Sequence, residues 1–389
     1  MLTFESFTGI NNVLPAHRLQ GTDLIKATDV NIGRTGEITR RLGVTEVSAL
    51  CHKNLFDGQG FMLSTAGNQL VATHPGGVRH VVHPAIGPER LWYCNLPDGR
   101  TAFSNGLIQG TTDGFVSLDS SVHEPTGLGA PDTAFGELFP GAYRYYLTHV
   151  RLVDGAESPA LGSAPVTIVS GGLRIDGLPQ LPGHSLSVYL SNESGEGAYL
   201  AGSGITGDMF QFGGKNAQLV TPCRTIGAQP FPVGTITAYW RGRALVAQGD
   251  VLWASRPFAP HLADWRDFKP MKDRITAIQP VDDGVFVGTD KELVFLAGTT
   301  WESLTYRSTR RGPVVLGSGV SAPGDQLRIG DGAGSGDAML CIAGGEIVAG
   351  FAGGVTSSLT QGRYKTMAAE VCATFRVVDE IPQYVAVPQ

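Results

Sequence analysis

The sequence predicts an all-β protein: a β-propeller of about six blades, some incomplete, with an inserted β-sandwich. Three observations carry this expectation. The first is a repeat within Thr235 to Gly298. Each half opens with an alternating run (Ile236, Ala238, Trp240; Ile275, Ala277) and continues with a turn (Arg241-Gly242; Asp282-Asp283-Gly284). An apolar strand follows (Ala244 to Ala247; Val285 to Gly288), then a polar turn and a second apolar strand (Val251 to Trp253; Leu293 to Leu296). Ile236 and Ile275 lie 39 positions apart, and a four-stranded propeller blade takes about 40 to 45 residues. The second observation is composition. Charged residues make up 16% and Gly 53 of 389, against about 25% and 7% in ordinary domains. That balance suits short strands joined by tight turns and not helical bundles. The third is a break in the pattern. Residues 118–225 carry about seven strands in about 100 residues, the density of a β-sandwich.

Taken in order, residues 1–43 read as an extended arm and a hairpin turned at Asn31 to Gly36. Arg40 and Arg41 close it, either as an anchor to an acidic neighbour or as a solvated strand end. Residues 44–117 form the first part of the propeller, about two blades. They hold an alternating run Val44 to Leu50, a hairpin over Gly60 to Thr73, strands Arg79 to His83 and Arg90 to Asn95, and turns at Asp98-Gly99 and Asn105-Gly106. Residues 118–225 open with a linker, Glu124 to Pro131. Strands follow at Gly141 to Leu152, Val166 to Val169, Leu173 to Pro179, Ser185 to Ser191, Tyr199 to Gly202 and Met209 to Phe212. A Pro-rich linker leads into residues 226–389, the second part of the propeller with C-terminal closing strands. A short helix is expected around His261 to Phe268. Without about 105 residues of sandwich, about 284 remain, enough for roughly six blades.

The chemistry-bearing residues do not converge in the sequence. The five Cys (51, 94, 223, 341, 372) are odd in number and widely spaced. They form neither a disulfide framework nor a zinc site and read as buried small hydrophobes. His80 and His83 lie three apart on a strand, so they point to opposite faces and make a poor chelate. Gly330 to Asp337 has the residue types of a calcium loop without its spacing or closing Glu. Asp282-Asp283 reads as a solvated turn rather than an acid pair. Trp240, Trp253 and Trp265 read as pegs between blades, with a sugar-binding face as the alternative. No catalytic residue, cofactor or metal site is expected. The N-terminus lacks the charged and apolar regions of a signal peptide, and no apolar run reaches the length of a membrane span. The net charge of −6 argues against a surface that grips nucleic acid.

With these residues laid out, a family resemblance emerges. The stretches FTGINNVLPAHRL from Phe7 and DLIKATDVNIGRTGEITRRLG from Asp23 resemble the N-terminus of tail tube (nozzle or tail-hub) proteins of short-tailed bacteriophages. FPVGTITAYWRGRALVAQGDVLWASRPFAP from Phe231 resembles their propeller segment. YRYYLTHVRLVDGAES and SLSVYLS resemble a fibronectin type III-like module. The resemblance implies a structural virion protein, not an enzyme. It would form a homohexameric ring below the head-to-tail adaptor and portal, assembled in the host cytoplasm. Its partners would be tail fibres or tailspikes, with double-stranded DNA passing through during ejection. Arg40, Arg41, Arg241 and Arg243 are the candidate assembly contacts. The alternative is a glycan-binding or glycan-degrading propeller with a carbohydrate-binding sandwich.

Overall fold

The repeat over Thr235 to Gly298 folds as expected into strand–turn–strand–turn–strand, and each half gains a fourth strand. In the computed structural model, residues 6–389 are described, apart from 34, 42, 44, 47, 48, 50, 330, 331, 361 and 379. The protein is all-β; the described residues hold no α-helix, only 3-10 turns. The alternating run expected at Val44 to Leu50 lies largely outside the described residues.

Five four-stranded antiparallel sheets form in chain order. Sheet I comprises His52–Asp57, Met62–Ala66, Gln69–Thr73 and Arg79–His83. Sheet II comprises Trp92–Asn95, Thr101–Ser104, Gln109–Thr112 and Ser117–Asp119. Sheet III comprises Thr237–Trp240, Arg243–Gln248, Val251–Ala254 and Phe268–Pro270. Sheet IV comprises Ile275–Val281, Gly284–Thr289, Leu293–Ala297 and Thr305–Arg311. Sheet V comprises Val320–Pro323, Asp337–Ala343, Glu346–Gly350 and Thr356–Ser358. A two-stranded hairpin, Val371–Val378 with Ile381–Pro388, ends the chain.

Two expectations fail here. The stretch His261 to Phe268 is not helical. Leu262–Asp264 pairs with Ala228–Pro230, and Phe268–Pro270 pairs with the third strand of sheet III. Pro260 and Pro270 bracket the stretch, its aromatic residues are poor helix formers, and neighbouring strands take up its backbone groups. The linker expected at Glu124 to Pro131 gives way at its end to an edge strand, Ala130–Ala134. Proline is tolerated there because one edge of such a strand needs no donor.

Side chains fasten each sheet to the next. Trp240, 4% exposed, crosses from sheet III, and its Nε1 donates to the carbonyl of Val281 in sheet IV at 3.2 Å. The Arg241-Gly242 turn has positive φ at both residues (46° and 86°), which favours glycine at the second. Arg241 tolerates the conformation while its guanidinium donates to the Asp282 carbonyl (3.1 and 2.6 Å). Asp283 accepts the Gly353 N–H of sheet V (2.9 and 2.7 Å). Val371 N–H donates to Leu316, and Tyr384 Oη donates to the Ser318 carbonyl (2.7 Å), which holds the C-terminal hairpin against sheet V. Phe56 of sheet I stacks on Tyr93 of sheet II at 4.9 Å. The apolar cores beneath these contacts span neighbouring sheets: Leu245, Val285 and Val294 share one, and Phe286, Phe295 and Cys341 another.

Between sheets II and III the chain builds a separate body. Ala130–Ala134, Gly172–Asp176 and Met209–Phe212 form a three-stranded sheet. Tyr145–Arg151, His184–Leu190 and Tyr199–Ile205 form the main part of a four-stranded one. Both face a single core containing Tyr143, Tyr145, Leu147, Ile175 and Val188. The N-terminal arm has a short parallel pair (Gly9–Ile10, Asp23–Leu24) and an antiparallel hairpin, Val30–Ile32 with Ile38–Arg40. Asn12 ties it to the segment ahead of the C-terminal hairpin, with bonds to Lys365 (2.8 and 2.9 Å) and Arg363 (3.0 Å).

Candidate functional site

Alternation along a strand sends successive side chains to opposite faces, while the innermost strand of a sheet also presents its edge. The first strands of all five sheets, and of the C-terminal hairpin, line one cavity of about 520 Å³. Each contributes a polar residue: Asp57, Asn95, Thr237, Gln279, Ser321 and Thr374. Asp57 and Asp337 are the only charged residues of the lining among the described residues. Cys94 also reaches it, and burial pushes its thiol up to about 11 despite a 3.5 Å contact with Thr237. A thiol held protonated is a poor nucleophile. The cavity is therefore neutral to weakly acidic, with polar groups spread around its wall.

A second cavity, about 270 Å³, lies where the inserted body meets sheets II and III. Arg151 chelates Asp154 (2.9 and 2.7 Å) and donates to the Asp119 carbonyl at 2.9 Å. Arg100 lies 3.6 Å from Asp154. Burial acts to raise the Asp154 pKa, but the Arg151 hydrogen bonds, the Ala156 N–H and the charges of Arg151 and Arg100 together lower it. Across the junction, His261 Nε2 meets the Glu157 carbonyl at 3.0 Å. Burial dominates there and lowers the His261 pKa. The Glu157 carboxylate accepts from Thr148 and Tyr189, each at 2.6 Å. Sequence reasoning missed this network, because its members are spread between Arg100 and His261, the His261–Glu157 bond alone spanning 104 positions, and share no motif.

The four arginines named from the sequence part ways. Arg40 and Arg41 are exposed at the end of the arm hairpin. Arg241 joins sheets III and IV as described. Arg243 is nearly buried and forks between Asp267 (2.7 Å) and Glu302 (2.8 Å), also donating to the Ser255 carbonyl (2.8 Å). Three bonds of its guanidinium thus lie within the chain.

The other candidates fall as follows. His80 and His83 do point apart: His80 packs on His74 and Phe115, and His83 on Phe103. Cys341 is fully buried and its thiol is pushed up to about 12 by burial. Cys51 and Cys372 are exposed, against the expectation of five buried thiols; Cys372 Sγ lies 3.5 Å from the Arg90 guanidinium. Asp283 is not a solvated turn residue but a cap on Gly353. Trp240 is a peg, Trp253 is half-buried against Phe268 (5.2 Å), and Trp265 is 61% exposed. No group of three or more His, Cys, Asp or Glu that could hold a metal occurs among the described residues. Part of the Gly330 to Asp337 loop lies outside them. No described helix is long and apolar enough to cross a membrane.

No protein-family model and no curated protein matches the chain. Among solved structures, it is similar to the extracellular domain of a putative hybrid two-component system from B. thetaiotaomicron. Identity there is 10% and the TM-score 0.30, over 86% of this chain and 36% of that one. It is also similar to BBS1N in complex with ARL6DN, at 11% identity and a TM-score of 0.31, over 87% of this chain and 89% of that one. Similarities of this size bear on no functional question.

Proposed function

We propose that the chain is a structural virion protein, the nozzle or hub ring of a short-tailed phage tail. In this reading, sheets I to V are complete blades and the C-terminal hairpin is a two-stranded sixth blade. The observation that carries the architecture is the single cavity lined by six first strands in chain order. The phage reading rests on the residues of the arm and of Phe231 to Pro260 that resemble tail tube proteins. The inserted body is a fibronectin type III-like sandwich raised on two linkers, a platform for fibres or tailspikes. Phe135 (93%), Phe139 (60%) and Val169 (75%) are exposed on it. Copies assemble into a hexamer beneath the head-to-tail adaptor, in the host cytoplasm. Double-stranded DNA passes through the ring, and a weakly acidic wall lets a polyanion slide without sticking. Electron microscopy of the purified chain, alone and with its adaptor, tests this. Rings support it; a chain that stays monomeric at high concentration and joins no adaptor ring sinks it.

One observation favours a second reading, a glycan-binding propeller. Trp265 and Phe268 stand at a cleft of about 560 Å³ whose lining includes Asp264, Asp267 and Glu302. The exposed indole would offer its apolar face to a sugar ring in competition with the Arg266 guanidinium 4.3 Å from it, and the carboxylates, already paired with Arg243 and Arg256, would accept from the hydroxyls. Binding on a glycan array that disappears in Trp265→Ala would favour it over the nozzle.

A further inference from the structure

The sixth sheet is half the size of the other five. Its first strand reaches the central cavity through Ala373 and Thr374, so Ile381–Pro388 is the second strand counting outward. Among the described residues, no strand fills positions three and four, which are filled in sheets I to V. No residue of Ile381–Pro388 is buried, and Val387 is 55% exposed. Between this strand and sheet I lies a cavity of about 540 Å³, lined by Asn54, Met62, Val385 and Val387 among others.

The same chain carries an antiparallel pair that belongs to no larger sheet. Val30–Ile32 and Ile38–Arg40 pair only with each other. Backbone bonds from Gly33 to Glu37 and from Arg41 to Asp29 (2.8 Å each) extend the ladder to five residues a side. That matches the third strands of sheets I to V, which run four or five residues. Neither strand contains a buried residue, and Ile38 is 38% exposed. A lone two-stranded hairpin is marginal in water, and an open strand edge is a template for pairing. The root of the arm is already docked through Asn12 on residues 363–365, and Phe7 N–H donates to the Gly36 carbonyl at the hairpin turn (2.8 Å), yet among the described residues no third strand joins the hairpin.

We propose that the arm hairpin 29–41 of one copy adds to the open strand Ile381–Pro388 of a second copy, completing its sixth sheet to four strands. The contact is heterologous: the donor surface differs from the acceptor surface, so each copy passes its hairpin to the next. Such contacts close into rings when the rotation permits. The inference rests on the ring reading and gives it an interface.

Three measurements on the full-length chain decide it. In hydrogen exchange, amides of 29–41 and 381–388 become protected together as concentration drives assembly. Arg40→Pro and Ala386→Pro, whose N–H groups point away from their own hairpin partners, each remove a donor from one side of the junction and weaken association by about tenfold or more. Their thermal unfolding as dilute monomers stays near that of the unmodified chain. The third measurement uses Cys51→Ser/Cys372→Ser as background. Chains carrying Ile38→Cys are mixed with chains carrying Val385→Cys, and oxidation yields a cross-linked dimer. If both cysteines in one chain cross-link internally and the mixture gives no dimer, the hairpin closes on its own chain and the proposal is overturned. Rings whose two hairpins exchange as fast as in the monomer overturn it too, while leaving the nozzle reading standing. A chain that forms no assembly at all removes that reading and this interface with it.

Discussion

Sheet IV and the C-terminal hairpin start alike and finish differently. Each sends a first strand to the central cavity. In sheet IV, the second strand Gly284–Thr289 is buried at every position. In the hairpin, the second strand Ile381–Pro388 is buried at none. The strands themselves are comparably apolar: Val285, Phe286 and Val287 in one, Tyr384, Val385 and Val387 in the other. The difference is the neighbours. Sheet IV has two more strands outside it and packed sheets on both sides, so Phe286 meets Phe295 at 4.7 Å and lies against Gly350 of sheet V. Burial of a strand is thus conferred by its flanks, and an apolar strand without them stays exposed.

Substitutions can break or sharpen this contrast. The largest effect is expected for Phe286→Ala, which empties a fully enclosed site and should cost about 3 to 5 kcal/mol. Phe375→Ala in the hairpin, where the ring is only half-buried, should cost less than about 2 kcal/mol in the monomer. Equal losses in denaturant titrations would show that the hairpin is as well packed as sheet IV. Next comes Arg243→Ala. It strands the largely buried Asp267 and should cost about 3 kcal/mol, with partial recovery in Arg243→Lys, which restores the charge without the fork. A third test concerns pH at the sandwich junction. Burial lowers the folded pKa of His261 below its ordinary value near 6.5. Below that value the unfolded chain takes up a proton that the folded chain refuses, so stability falls as pH drops. Melting curves from pH 7 to pH 5 should fall less steeply for His261→Gln, and unchanged slopes would remove His261 as the cause. The smallest effect is expected at Val387→Ser. This exposed position should change monomer stability by no more than about 0.5 kcal/mol, whereas its effect on association reports on the open edge.

Much of this was legible in the residues and some was not. The three inner strands of sheets III and IV could be read because each carries a run of apolar residues between turn signals such as Arg241-Gly242 and Asp282-Asp283. Their fourth strands could not. Thr305–Arg311 holds Tyr306, Arg307, Arg310 and Arg311 and is mostly exposed, so it reads as a loop. It is a strand because Leu293–Ala297 offers it a free edge. The misjudged helix at His261 to Phe268 has the same origin: its residues take strand geometry from partners at 228–230 and 251–253. Arg241 and Arg243 were candidate assembly contacts from the sequence, and only the fold revealed that Asp282, Asp267 and Glu302 come to meet them.

What the sequence determined by itself is the β class, the repeat and the place of the insertion, since these depend on local alternation and on turn residues. The tertiary structure decided which carbonyl or carboxylate each arginine faces, which thiols are buried, and that six first strands share one cavity while the last sheet stops at two strands. Those outcomes depend on pairings between residues far apart in the chain, and a strand's edge carries no mark in the sequence of what will lie beside it.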